Sequence, residues 1–196
     1  MKPFSESCKQ NQQPIGDVLT IELHEKTDLL EIGSGTGQHA VYFSPMFPDM
    51  RWQTSDVSEN HQGIQQWLDE YSLPNTLQPI SLNVSSDDWP DHQYDAIYSA
   101  NTAHIMSWHE VEKMFSGMST CLKQGGVFCL YGPFNYLGQY TSKSNEQFDG
   151  WLKSRDALSG IRHFEEINSL AEITGLALKN DYAMPANNRF LIWVKR

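Results

Sequence analysis

Residues 27–40 read Thr-Asp-Leu-Leu-Glu-Ile-Gly-Ser-Gly-Thr-Gly-Gln-His-Ala, and this stretch limits the chain to few architectures. An apolar run (Leu29, Leu30, Ile32) stops at three glycines spaced by two, Gly33, Gly35 and Gly37, and a helix-compatible segment from Gln38 to Phe47 follows. That order is a buried strand, a tight turn and a helix start. Glycine suits a turn with positive φ, or backbone against which a ligand lies. The helix beyond offers free N–H groups and the positive end of its dipole. Such a loop cradles a nucleotide-like ligand. In the G-x-G-x-x-G/A register of a dinucleotide loop, Gln38 would stand at the last glycine, and no G-x-x-x-x-G-K-[ST] run is present.

The rest of the chain alternates strand and helix patterns. Pro14–Leu23 has apolar residues at helical spacing, with Pro at its first turn. Strand one is Asp28–Ile32, its helix Gln38–Phe47, strand two Arg51–Ser55 and helix two Glu59–Tyr71. Strand three is Leu77–Leu82 and strand four Tyr94–Ser99; a helix follows over Trp108–Leu122, and Gly125-Gly126 breaks it before strand five, Val127–Tyr131. Helices are expected over Asn145–Leu158 and Phe164–Thr174, the latter closed by Gly175. Leu176–Ala183 and Arg189–Lys195 complete the chain as an antiparallel strand pair. This alternation predicts a mostly parallel sheet covered by helices on both faces, with the ligand at the carboxyl ends of the strands where strand order reverses.

Glu31-x-Gly33-x-Gly35-x-Gly37 resembles the first motif of the class I S-adenosylmethionine-dependent methyltransferases. The resemblance implies a Rossmann-like α/β fold: a mostly parallel seven-stranded sheet with an antiparallel C-terminal strand pair. A narrower likeness runs through Asn11-Gln12-Gln13-Pro14-Ile15, residues 99–105 (Ser-Ala-Asn-Thr-Ala-His-Ile), Tyr131-Gly132-Pro133-Phe134-Asn135, Gly160-Ile161-Arg162 and Met184-Pro185-Ala186-Asn187-Asn188. These pieces span nearly the whole chain and resemble the DUF938 or UPF0585 family of methyltransferase-like proteins. His163 stands where Asp is common after Gly-Ile-Arg, and Lys9-Gln10 where Glu-Arg is expected. The resemblance implies S-adenosylmethionine as cofactor, with Asn11, Glu31, Gly33, Ser34, Gly35, Gly37, Asp56, Val57, Asn83, Val84 and Asn101 binding it. It also implies one domain over 1–196, whose N-terminal segment and helix, 1–25, cover the cofactor site.

Asp56 ends strand two about 20 residues past the glycine turn, where a carboxylate can accept both ribose hydroxyls. It, or Ser58, can equally cap the next helix. Asn83 and Val84 either read adenine or form a turn beside the core. Asp87-Asp88-Trp89-Pro90 reads as a solvated turn with a packing Trp, the alternative being a segment that closes over adenine.

Methyl transfer from a sulfonium is an in-line displacement, so the protein positions the acceptor and needs a base only if the acceptor holds its proton. Asn101 and His104 follow strand four. His104 is the first general-base candidate, because imidazole titrates near neutrality; a hydrogen-bonded scaffold role is the alternative. Tyr131 faces the acceptor, and the aromatic run Tyr131–Tyr140 either boxes it or packs as a loop. His39 and His109 read as helix-surface residues. Asn187, Asn188 and Arg189 suit a turn. Arg162 anchors an acidic substrate or pairs with Glu165 or Glu166. Asn-Pro-Pro-Tyr, the signature of amino-group methylation on nucleic acids and proteins, is absent.

A net charge of −10, with only 14 Lys and Arg, disfavours a nucleic-acid partner and suits a neutral or cationic small acceptor. Three cysteines without C-x-x-C spacing support neither a disulfide framework nor a metal site. No apolar window approaches a membrane span and the N-terminus is polar, so a cytoplasmic protein, monomeric or weakly dimeric, is expected. The reading is methyl transfer to a small molecule. Its rivals are a non-catalytic domain that binds S-adenosylmethionine or S-adenosylhomocysteine, and a nicotinamide-dependent oxidoreductase, which Gln38 disfavours.

Overall fold

Strand β1 (Asp28–Ile32) is buried at every position, as an unbroken apolar run requires when both faces of a sheet are covered. The computed structural model describes residues 2–86 and 88–196; Asp87, read above as part of a turn, lies outside them. After β1 come α2 (Gln38–Phe43), β2 (Arg51–Asp56), α3 (Ser58–Tyr71), β3 (Thr76–Ser81), β4 (Tyr94–Ala100), α4 (Trp108–Cys121) and β5 (Leu122–Gly132). Then follow β6 (Phe134–Asn135), α5 (Lys143–Arg155), β7 (Arg162–His163), α6 (Phe164–Ile173), β8 (Leu176–Met184) and β9 (Asn188–Lys195). Helix α1 (Glu6–Glu22) precedes them all. The large sheet runs β3-β2-β1-β4-β5-β9-β8. Pairings among β1–β5 are parallel, and β9 runs antiparallel to both its neighbours. The expected seven-stranded Rossmann-like sheet is therefore present.

Alternation along each strand divides the core into two layers. Leu30, Ile32, Ile97, Phe128 and Trp193 face α4 and α6, while Leu29, Trp52, Tyr98, Cys129 and Ile192 face α1, α2 and α3. Burying side chains of this size contributes about 1.5–3 kcal/mol each. Trp89 belongs to the first layer, and a Cβ on Gly117 of α4 would meet its indole at 1.9 Å. The packing role expected of that Trp is thus its observed one.

The elements depart from the sequence expectation where tertiary contacts overrule local pattern. Helix α1 begins eight residues early, at Glu6 rather than Pro14, which lies inside it. Ser5 caps it, and Gln38 holds the Ser5 backbone from another element, so the polar stretch is ordered without apolar periodicity. Helix α2 stops at Phe43 and continues as one 3-10 turn, Ser44–Met46, because Pro45 has no N–H to donate. Helix α5 runs two residues earlier at its start and three at its end than expected, with Ser142 as its cap. The glycines Gly125-Gly126 do not end α4, which stops at Cys121; β5 starts at Leu122 rather than Val127, so Gly125, φ +71, lies within it where the β4–β5 register slips. The two-residue strands β6 and β7 pair in parallel with each other and had no sequence signal.

Strand order reverses between β1 and β4. The segments leaving the carboxyl ends of those two strands diverge there and leave a crevice.

Candidate functional site

The three glycines of the turn serve three different ends. A Cβ on Gly33 would come within 2.6 Å of Thr102 Cγ2, so Gly33 lets the turn touch the segment after β4. A Cβ on Gly37 would stand 3.1 Å from Ile64 Cα, so Gly37 lets α2 pack on α3. Gly35 has φ +58 and nothing within 4 Å of where a Cβ would be; it opens on a cleft of about 780 Å³. Gly33, Ser34, Gly35 and Thr36 form one side of that cleft, and Glu59, Asn60, Gln62, Gly63 and Gln66 of α3 another. Asp56 lies between them, Ala100, Asn101 and Thr102 close the β4 side, and Pro3, Ser5, Ser7 and Cys8 cross from the N-terminus.

That N-terminal strap is held at several points. Trp67 Nε1–H donates to Pro3 O at 2.7 Å, Lys2 Nζ lies 3.5 Å over the Trp67 ring, and Gly63 leaves room for Pro3. Ser5 N–H donates to Gln38 Oε1 and Gln38 Nε2 donates back to Ser5 O at 3.2 Å. Gln38, where a dinucleotide loop would carry glycine, is thus the latch for the strap.

Asp56 is held by three donors of the protein around it. Its Oδ2 accepts from Gly35 N at 2.7 Å; its Oδ1 accepts from Val57 N and Asn60 Nδ2, each at 2.8 Å. It therefore ties the glycine turn to the start of α3, and of a carboxylate's roughly four acceptor positions one remains, on Oδ2. Val57 is the N-cap position of α3 and gives Asp56 its N–H, but its side chain is not in the cleft wall.

Six expected cofactor contacts lie outside the wall of this cleft: Gly37 and Val57, Asn11 on the second cavity, and Glu31, Asn83 and Val84. Glu31 is buried beneath the turn, where its Oε2 accepts from Trp52 Nε1 at 2.9 Å. Burial pushes its carboxyl up to about 7, against the hydrogen bonds from Trp52 and Ser34, which lower it. It supports the turn from below and does not line the cleft. Asn83 is exposed and closes its own turn, its Oδ1 accepting from Ser85 N and Oγ. Val84 packs in the core layer under α4. His39, expected on a helix surface, is 5% exposed: Nε2 meets Asn11 Oδ1 at 2.8 Å and Nδ1 meets Tyr98 O–H at 3.1 Å. Burial lowers its pKa to about 4. His109 is exposed as expected.

Asn101, in left-handed conformation at φ +59, donates its N–H to Tyr131 O and stands at the junction with a second cavity, of about 980 Å³. Ser7, Asn101 and Ile105 line both. Asn11, counted above with the cofactor residues, lines the second cavity, as do His104 and Tyr131. Burial raises the pKa of the Tyr131 hydroxyl, against the neighbouring Asn188 and Asn11 side chains, which lower it. His104 is 6% exposed, its ring edge-on to Phe148 at 5.4 Å. Its imidazole has no hydrogen-bond partner among the described residues, and burial, then the Arg162 charge, lowers its pKa to about 4.

His104 sits on a platform that spacing alone did not show. Four successive carbonyls, Ala103 to Met106, accept from the segment after α5: Arg162 Nε to Ala103 O at 3.0 Å, Gly160 N to His104 O at 2.9 Å, Ser159 Oγ to Ile105 O at 2.6 Å, and the Arg162 guanidinium to Met106 O. Arg162 therefore neither anchors a substrate nor pairs with Glu165 or Glu166. The aromatic box is also rebuilt. Tyr136 stacks on Phe164 and donates to Asp181, and Tyr140 donates to Asp149, so neither faces the cavity. The cavity's rings are Tyr131 from β5 and Phe148 and Trp151 from α5, a pair stacked at 5.7 Å that helical i, i+3 spacing places together. Asn187 takes the left-handed turn expected of it, Asn188 reaches the cavity wall, and Arg189 pairs with Asp181 at 2.7 Å.

Comparison with known proteins bears on this arrangement. A family model described as a protein of unknown function, DUF938, matches residues 2–195. Among solved structures, an O-methyltransferase family protein from Burkholderia thailandensis superposes with TM-score 0.84 at 13% identity, covering 94% of this chain and 56% of that one. An O-methyltransferase family 2 protein from Planctomyces limnophilus, in complex with apigenin, gives 0.82 at 15% identity, with 95% and 56% covered. The YcgJ protein from Bacillus subtilis gives 0.73 at 18% identity, with 93% and 99% covered. The chain thus spans a little over half the length of the two O-methyltransferases. At these identities the likeness is one of fold, and that fold is methyltransferase-like.

Proposed function

The chain belongs to the DUF938 family, and from that premise we propose that it is an S-adenosylmethionine-dependent methyltransferase acting on a small molecule. The observation that carries the reading is the charge of the first cleft. Its described lining includes Asp56 and Glu59 and no Lys or Arg. A dinucleotide pyrophosphate would meet no cation there, whereas a sulfonium cofactor suits an acidic, backbone-lined cleft. The residues present fit that cofactor. Gly35 leaves open space against its backbone, and Asp56 keeps one acceptor position for a ribose hydroxyl. When bound, S-adenosylmethionine supplies an electrophilic methyl carbon and a neutral sulfur leaving group.

The chain's own residues then do the positioning. Asn101 and Ile105, shared by both cavities, sit where donor and acceptor would meet. The carbonyl platform fixes His104 beside that junction, on the acceptor side. The second cavity, about 980 Å³, is of small-molecule size.

Calorimetric titration with S-adenosylmethionine, S-adenosylhomocysteine and NADH tests the reading. Saturable micromolar binding of the first two alone is expected. Binding of NADH, or of none of the three, overturns it. Release of S-adenosylhomocysteine across a panel of small acceptors separates an enzyme from a domain that only binds the cofactor.

A further inference from the structure

The second cavity sorts acceptors by charge. Its charged side chains are Arg155 and Asp156, both exposed at the mouth, where Arg155 lies over Trp151 at 4.9 Å and Asp156 Oδ1 accepts from Leu158 N. The buried lining is uncharged: Asn11, Tyr131, Asn145, Leu152 and Ser159 beside His104. An ammonium group taken inside would find no carboxylate, and a carboxylate no cation; either would forfeit its hydration.

The polar part of that lining is largely occupied. Asn145 Nδ2 donates to Thr141 Oγ1 and Asn187 O, Ser159 donates to Ile105 O, and Tyr131 neighbours Asn11 and Asn188. His104 is the exception, a buried polar ring facing the cavity without a partner among the described residues. Its nitrogens are open to the cavity, so a ligand seated there can take up the hydrogen bond that water otherwise makes. Beside it runs a wall of Phe148, Trp151 and Leu152, two rings and an aliphatic side chain.

We propose that the methyl acceptor is an uncharged aromatic hydroxy compound, seated along the Phe148–Trp151–Leu152 wall with its hydroxyl on His104, which takes the proton. This rests on the methyl-transfer reading above. In the reaction the acceptor's O–H bond breaks and the proton passes to the imidazole. The oxygen's electron pair forms the new bond to the donor's methyl carbon, and the carbon–sulfur pair leaves with sulfur. A neutral acceptor, a sulfonium and a neutral imidazole become a methyl ether, a thioether and an imidazolium, so charge is conserved. Burial keeps His104 neutral and a weak base. It therefore suits a phenolic hydroxyl, with a pKa of about 10 as in tyrosine, better than an aliphatic alcohol.

The test is binding by calorimetry and tryptophan fluorescence to the whole chain saturated with S-adenosylhomocysteine. The probes are 2-naphthol, 2-methoxynaphthalene, naphthalene-2-carboxylate and 2-naphthylmethylammonium. Saturable binding of 2-naphthol is expected, with both charged probes at least about tenfold weaker. His104→Ala should weaken 2-naphthol about tenfold and leave 2-methoxynaphthalene and S-adenosylhomocysteine unchanged. His104→Phe, which keeps a ring against Phe148, gives the same comparison if the alanine variant fails to fold. If S-adenosylhomocysteine binds but 2-naphthol does not, or a charged probe binds as well, or the His104 variants bind 2-naphthol normally, the acceptor assignment is overturned and methyl transfer stands. If S-adenosylhomocysteine itself fails to bind, both fall.

Discussion

The two cavities that meet at Asn101 are built in opposite ways. The first comes mostly from residues 33–66, the glycine turn after β1, the end of β2 and the face of α3, and is closed by residues 100–106 after β4 and by the N-terminal strap. The second is assembled from five separated segments, contributed by α1, the loop after β4, the end of β5, α5 with the residues after it, and the turn before β9. The first satisfies its key carboxylate internally, with three donors on Asp56, while the second leaves His104 unpaired. A site that must hold one constant ligand can be written locally in backbone conformation. A site that must fit a particular acceptor needs side chains brought from afar.

The largest expected effect sets Gly35 against Gly37. Gly35→Val fills the open space over the turn and should abolish S-adenosylmethionine binding in calorimetry, with a fold cost of only about 1–2 kcal/mol from its positive φ. Gly37→Val drives a side chain into the Ile64 backbone and should lower the thermal midpoint more than Gly35→Val does. The contrast breaks if both variants lose stability and binding in the same proportion.

Next comes the pH dependence of the support beneath the turn. Glu31 has a folded pKa of about 7 against an ordinary 4.5. The folded state therefore holds its proton more tightly, and stability falls as pH rises from 4.5 to 7, by at most about 3 kcal/mol, then levels off. His39 and His104, lowered from 6.5 to about 4, work the other way and cost stability as pH falls through that window. Urea unfolding at pH 5 and pH 8 isolates Glu31. The change in stability on going from pH 5 to pH 8 should be more favourable in Glu31→Gln than in the parent, and an identical change would sink the assignment.

Asp56→Ala should weaken S-adenosylmethionine binding by about 1–3 kcal/mol, since the Gly35 and Asn60 donors lose their acceptor along with the ribose contact. An unchanged affinity would leave Asp56 with a purely structural role. The smallest effect is on the other side of the junction. Arg162→Ala removes donors to Ala103 O, Met106 O and Leu158 O and should cost about 1–2 kcal/mol of stability. It should lower acceptor turnover while S-adenosylmethionine affinity stays at the parent value. Equal losses on both sides would mean that the two cavities are not separately supported.

What could be read from the residues alone follows this division. Strand and helix periods, the glycine spacing and the position of Asp56 depend on neighbours within a few turns of chain, so the seven-stranded architecture and the crevice between β1 and β4 were legible. Gly35, Asp56, Asn101, His104 and Tyr131 do lie around the two joined cavities. Glu31, Asn83 and Val84 were misplaced because a motif position tells where the backbone passes, not which way a side chain turns. Helix α1 and His39 were misread for a related reason. Their order comes from Gln38 holding Ser5 and from Asn11 reaching His39. The stacking of Phe148 on Trp151 follows from helix spacing, but its place on the cavity and the carbonyl contacts under His104 carried no local signal. Those contacts exist only because the segment 158–162 folds back some 55 residues onto the loop after β4, in a pairing of side chains to backbone that no periodicity encodes. Sequence pattern determined the scaffold and the backbone turn, because secondary structure is set by local sterics and burial period. Tertiary packing alone decided which polar groups are satisfied and which, like His104, face a cavity without a protein partner.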